Sequence, residues 1–135
     1  MRVFLDANVL FSGSSPGSIT DQLLGRLEAV AGAEMVTSDL AAEEARRNLE
    51  RKAPGWLDTF EARTPRITTV PSVVFPLPVE LVEKDRPILC SAIRAECGML
   101  ATGDRRHFGH LYGQTVEGVT VVSLLGLAQW IKGQG

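Results

Sequence analysis

The stretch Val3-Phe4-Leu5-Asp6-Ala7-Asn8 decides the fold class, because a short apolar run is cut off by an acid and turn-type residues. That pattern reads as a buried strand leading into a turn, which continues through Ser12-Gly13-Ser14-Ser15-Pro16-Gly17 as a loop. Next, Ile19, Leu23, Leu24, Leu27 and Val30 recur at helical period, with Ser18 placed to cap the helix and Gly32 to stop it. Met35-Val36-Thr37 predicts a second strand. Ser38 or Asp39 then caps a helix running through Leu40, Ala41, Ala45 and Leu49 to about Arg51. Strand, helix, strand, helix is the signature of a parallel sheet.

The far end of the chain repeats the pattern. Pro87 sits in a first helical turn after Asp85, and Leu89, Cys90, Ile93 and Cys97 form an apolar stripe that ends at Gly98. Residues 99–102 predict a strand broken by Gly103-Asp104. Residues 120–122 predict a last strand, and Ser123 caps a last helix carrying Leu124, Leu127, Ala128 and Ile131. Between these halves, residues 52–82 are less regular. Pro54-Gly55 can begin a helix with Trp56, Leu57 and Phe60, residues 67–70 can be a strand, and Pro71, Pro76 and Pro78 enforce an extended connection. The expectation is a single domain over residues 1–135, a three-layer α/β/α sandwich around a mostly parallel central sheet.

With 135 residues, the chain buries about two-thirds of its unfolded surface and needs no staple. Its 44% hydrophobic and 22% charged residues are ordinary for a globular protein. A net charge of −2 argues against indiscriminate coating of nucleic acid, but not against a local site where cations neutralise acids and arginines hold phosphates. The N-terminal apolar run meets an acid too soon for a secretory signal, so a cytoplasmic location is expected. Cys90 and Cys97, on one helix, would have Cα atoms about 10 Å apart, beyond the roughly 7 Å that a disulfide spans, and are expected to be buried thiols.

Ligands of an open parallel sheet bind beyond the carboxyl ends of its strands. Asp6 and Asp104 lie there, and Asp85 at a helix start faces the same edge. On a helical wheel Glu44 lies about 100° from the centre of the Ala41, Ala45 and Leu49 stripe, and Glu43 about 160°. Glu44 therefore flanks the packed face, with Asn48 and Arg51 beside it, while Glu43 points to solvent. Each like-charge pair about 5 Å apart repels by roughly 3 kcal/mol at an effective dielectric of about 20, so converging acids need protons or cations. Oxygen ligands without a Cys/His cluster favour magnesium or manganese over zinc. Metals so held activate water and stabilise a phosphoryl transition state.

Asp6-Ala7-Asn8-Val9-Leu10, Ser38 with residues 44–49, Asp85-Arg86-Pro87-Ile88-Leu89 and Thr102-Gly103-Asp104-Arg105-Arg106-His107-Phe108, in this order, resemble the PIN-domain family of metal-dependent ribonucleases. The small single-domain members, which include VapC-type toxins, are the most similar. The resemblance implies that Asp6, Glu44, Asp85 and Asp104 match the acidic catalytic quartet, with Asp6, Asp85 and Asp104 holding magnesium or manganese. It matches Asn8 and Thr102 to supporting polar positions beside the metals and substrate. Arg51, Arg105 and Arg106 are the candidates to contact phosphates. The resemblance further implies an RNA substrate, an antitoxin protein partner and a homodimer. One departure stands out, since many relatives carry another acid a few residues after the last aspartate, where this chain has Arg105, Arg106 and His107.

Each residue also has a plainer reading. Asp6 and Asp104 are placed as turn residues and Asp85 as a helix N-cap. Arg46, Arg47, Arg51 and Lys52 fit a solvated helix face. Trp56, Phe60 and Trp130 fit core packing, and His107 or His110 could serve as a general base. A magnesium-dependent phosphatase is disfavoured because Asn8 replaces the second acid of its Asp-x-Asp pair. A catalytically silent RNA-binding or scaffold module with the same fold is the alternative from another class.

Overall fold

The computed structural model describes residues 1–135. The elements run β1 (Arg2–Leu5), α1 (Ala7–Ser12), α2 (Ile19–Glu28), β2 (Glu34–Ser38), α3 (Asp39–Lys52), α4 (Leu57–Arg63) and β3 (Ile67–Val70). There follow α5 (Arg86–Arg94), β4 (Met99–Ala101), α6 (Arg105–Phe108), β5 (Thr115–Val116), β6 (Val119–Val122) and α7 (Leu124–Gln134). One six-stranded sheet has the order β3-β2-β1-β4-β6-β5, parallel throughout except where β5 pairs antiparallel with β6.

Side chains on the strands alternate between two cores, as a period of two requires. Val3, Leu5, Met35, Met99 and Ala101 join Leu24, Leu27, Ala45, Leu49, Phe60 and Leu127 on the face covered by α1 to α4 and α7. Phe4, Val36, Leu100 and Val121 join Leu89, Ala92 and Phe108 on the face covered by α5 and α6. Burying each such Leu or Phe contributes about 2 kcal/mol over leaving it in water. The central strands β1 and β4 are therefore buried on both faces, which is the α/β/α sandwich expected from the sequence.

Sequence order fixes where the layers leave a gap. The chain lays β1, β2 and β3 outward on one side, then returns to the other side of β1 with β4, so the crevice between β1 and β4 is the topological switch point. Helix starts are held as expected. Ser18 Oγ accepts from the Asp21 amide at 3.1 Å, Ser38 Oγ from Ala41 at 3.2 Å and Ser123 Oγ from Gly126 at 3.0 Å.

Several boundaries differ from the sequence expectation. Residues 7–12 form a helix rather than a turn; with only six residues, α1 is too short to display a period. Helix α2 stops at Glu28, and Ile19 is exposed instead of packed. Helix α5 stops at Arg94, so Cys97 lies beyond it; both cysteines are nonetheless buried free thiols. The β5–β6 hairpin was not visible in the sequence. It turns on Glu117 and Gly118, both with positive φ, and glutamate is not a usual residue there. Residues 71–82 form the expected extended connection, pinned to α5 where the Val73 amide donates to Ser91 Oγ and the Phe75 amide to Cys90 Sγ. No helix is long and apolar enough to cross a membrane.

Candidate metal centre

Asp6 follows β1 directly and is only 5% exposed. Its Oδ1 accepts from the Ala7 amide at 2.7 Å, which makes it the N-cap of α1. Its Oδ2 accepts from Thr102 Oγ1 at 2.8 Å and from Asn8 Nδ2 at 3.2 Å. The turn reading of Asp6 is thus half right, since one oxygen serves the backbone and the other faces the crevice. Burial pushes the Asp6 carboxyl up to about 6 against the pull of its Thr102 and Ala7 hydrogen bonds, and the charges of Asp85 and Glu44 push the same way.

Across the crevice, Thr102 ends β4. Its hydroxyl also accepts from the Asp104 amide at 3.1 Å, and Asn8 Oδ1 accepts from the Gly103 amide at 2.7 Å. Thr102 is fully buried, so it supports Asp6 and has no surface to offer a substrate. Asn8 remains exposed. Tyr112 closes the strand end by donating its hydroxyl to the Thr102 carbonyl at 2.8 Å.

Asp104 caps α6, where its Oδ1 accepts from the His107 amide at 3.1 Å. This is half of a capping box: the reciprocal bond is missing because the Asp104 amide donates to Thr102, and the His107 side chain instead turns back to the Asp104 carboxylate. Its Nδ1 stands 3.0 Å from Asp104 Oδ2 and 2.8 Å from Asp85 Oδ2. Asp85 makes no cap hydrogen bond to α5, contrary to the plainer reading; its carboxylate turns toward His107 instead. Burial raises the Asp85 carboxyl above the usual range despite the opposing pull of His107.

Asp85 Oδ2 and His107 Nδ1 are shielded from solvent, and although 2.8 Å apart their angles do not form a hydrogen bond. Ligand atoms of Asp85, Asp104 and His107 all lie within 4.8 Å of one another. Two carboxylates and an imidazole this close are a donor set that could hold a divalent cation. The sequence pointed to His107 only as a possible general base. The signal that would have found it is its position three residues after a capping aspartate.

The remaining candidates stand around this edge. Glu44 and Glu43 are both exposed, but Glu44 is the one whose charge reaches Asp6. With Asn48 and Arg51 it lines a shallow depression on α3. A second depression, beside residues 79–82, is lined by Arg86, Arg106, His107 and His110. Arg105 lies near Tyr112. Arg51, Arg105 and Arg106 are exposed and make no ion pair with any acid. Arg46, by contrast, is tied to Glu61 and lies over the Phe60 ring. Trp56, Phe60 and Trp130 pack into or against the core, as expected. The larger depression between α2 and α7 contains none of the acids.

No family model and no curated protein matches the sequence. Solved structures do match. VapBC2 from Rickettsia felis, bound to a DNA fragment from their promoter, superposes with a TM-score of 0.64 at 12% identity, covering 91% of this chain and 98% of that one. A PilT N-terminus domain protein from the archaeon Sulfolobus solfataricus superposes with a TM-score of 0.53 at 13% identity, covering 97% and 93%. The fold is that of a PIN domain. Nearly the whole chain takes part, the irregular residues 52–82 included in the span. Within this PIN fold the switch-point crevice is the place where Asp6, Thr102 and Asp104 meet, and Asp85 joins them through His107.

Proposed function

We propose that the chain is a metal-dependent endoribonuclease that hydrolyses RNA phosphodiester bonds, and that it acts as the toxin of a toxin–antitoxin pair. The observation that carries this reading is the gathering of Asp85 and Asp104 with His107 within reach of one ion, with Asp6 on the same crevice close enough to feel the charge of Asp85. Crowded acids that lack compensating arginines favour a cation over a structural role. The PIN fold shared with VapBC2 supports the biological half of the proposal.

Asp6, Asp85 and Asp104 would hold magnesium or manganese, which supplies positive charge to the phosphate and eases removal of a proton from water. Thr102 and Asn8 hold Asp6 in one orientation and fix the loop that carries Asp104. Glu44, exposed beside the crevice, orients the attacking water from the α3 side. Arg51, Arg105 and Arg106, free of acid partners, would receive phosphates on either side of the scissile bond. The same assignment carries a small antitoxin protein as partner and a homodimer as the assembled form.

The test is cleavage of structured and single-stranded RNA with magnesium or manganese, comparing wild type with Asp6→Asn and Asp104→Asn. Each substitution is expected to lower the rate by at least about 100-fold, the upper end of what supporting residues of metal sites cost. Cleavage that survives both removes these acids from the reaction. Failure to cut any RNA favours a silent RNA-binding module.

A further inference from the structure

We propose that His107 is itself a metal ligand, so that Asp85, Asp104 and His107 form a mixed oxygen–nitrogen site that prefers manganese to magnesium. The inference rests on the reading of the acidic edge as a metal centre and adds to it the ligand that sets metal choice.

Three observations carry it. First, His107 Nδ1 faces two carboxylate oxygens from different elements, at 2.8 Å and 3.0 Å. Adjacent ligands about 2.1 Å from an octahedral ion lie about 3.0 Å apart, so Nδ1 already holds the spacing that a bound cation imposes. Second, Nδ1 and Asp85 Oδ2 are shielded from water and make no hydrogen bond despite their closeness. Third, the backbone that carries the ring is anchored: Asp104 Oδ1 accepts the His107 amide, which leaves Oδ2 of the same carboxylate beside Nδ1.

Nitrogen in the donor set changes selectivity. Magnesium is a hard ion that keeps oxygen ligands and water, whereas transition ions accept imidazole. An all-carboxylate edge would bind both ions comparably, and one imidazole tilts the balance away from magnesium. His107 occupies the stretch after Asp104 where an additional acid was expected and is absent, so the chain replaces a negative oxygen ligand by a neutral nitrogen one. The change also adds no further negative charge beside Asp6 and Asp85, whose carboxyls burial already raises.

The experiment is calorimetric titration of the intact protein, first stripped with chelator, with manganese and with magnesium, together with pulsed electron paramagnetic resonance of the manganese-bound form. Wild type should bind manganese at least about tenfold tighter than magnesium and show a nitrogen coupling from a directly bound imidazole. His107→Ala should abolish that coupling and bring the ratio close to one. His107→Asp, which restores an all-oxygen set should the alanine variant fold poorly, should bind both ions with similar affinity. Manganese bound without nitrogen coupling, or an unchanged ratio in both variants, overturns the assignment of His107 while leaving the acids as ligands. Wild type that binds neither ion overturns this proposal and the metal-dependent function together.

Discussion

Beneath α2 and α4 the buried Arg63 guanidinium donates to Asp21 Oδ1 at 2.6 Å, to the Gly13 carbonyl at 2.8 Å and to Glu28 at 3.4 Å. At the carboxyl edge of the sheet, Asp6 shares its crevice with Asp85 and Glu44 and with no arginine. Both regions are polar and largely buried, and they shift carboxylates in opposite directions. The Arg63 hydrogen bond holds Asp21 below the usual carboxylate range, while burial drives Asp6 up to about 6. In the first region every charge is answered and the result is a clasp between helices. In the second, hydrogen bonds from Thr102, Asn8 and Ala7 reach Asp6 but no cationic side chain pairs with it, and burial of the carboxylate is the larger effect.

Breaking the clasp should have the largest effect on stability. Arg63→Ala strands Asp21 and the Gly13 carbonyl, and urea denaturation is expected to show a loss of about 3 kcal/mol, the low end for a broken buried pair because Asp21 and Glu28 keep some water. Metal binding by the folded fraction should be unchanged. A variant as stable as wild type would erase the contrast between the two regions.

The opposed shifts predict opposed pH responses in chelated protein. Asp6 has a folded value of about 6 against an unfolded one of 3.8, so the unfolded chain ionises first as pH rises. Stability from this group therefore falls between about pH 4 and pH 6, by about 3 kcal/mol once the pH passes the folded value. Asp21, with its folded value lowered, contributes stability that is present above 3.8 and lost only as pH falls through its lower folded value. Denaturation across pH should show this slope in wild type and a shallower one in Asp6→Asn, where the raised Asp85 still contributes. A slope unchanged in that variant assigns it to groups other than Asp6.

The smallest expected effect sharpens the comparison at one hydroxyl. Thr102→Val keeps the shape of a fully buried side chain but removes the donor to Asp6 and the acceptor for the Asp104 amide. A loss of about 1 to 2 kcal/mol by denaturation and about tenfold in manganese affinity by calorimetry is expected. An unchanged affinity would separate the orientation of Asp6 from ion binding.

Much of the fold was legible in the chain because its signals are local. The apolar run at residues 3–5 and the serine caps at Ser18, Ser38 and Ser123 depend on neighbours within one turn, and each appears as expected. The failures are local too. Helix α1 is shorter than the span a period needs, and the Glu117-Gly118 turn lacks the usual Asn or Asp before glycine. At the site, the order of the acids suggested convergence, but the role of Asp85 was split between a cap and a ligand. In the structure Asp85 stands at the N-cap position without a side-chain cap bond, and its carboxylate turns to His107.

By itself the sequence determined the alternation of strands and helices and which acids close the strands, because periodicity and capping act over a few residues. Only the tertiary structure decided what those acids meet. Asp6 and Thr102 are 96 residues apart in the chain and 2.8 Å apart in the crevice, and His107 becomes a neighbour of Asp85 only when α6 folds back over it. Charge, burial and ligand geometry depend on distance in space, and the switch point between β1 and β4 is what brings these distant segments together.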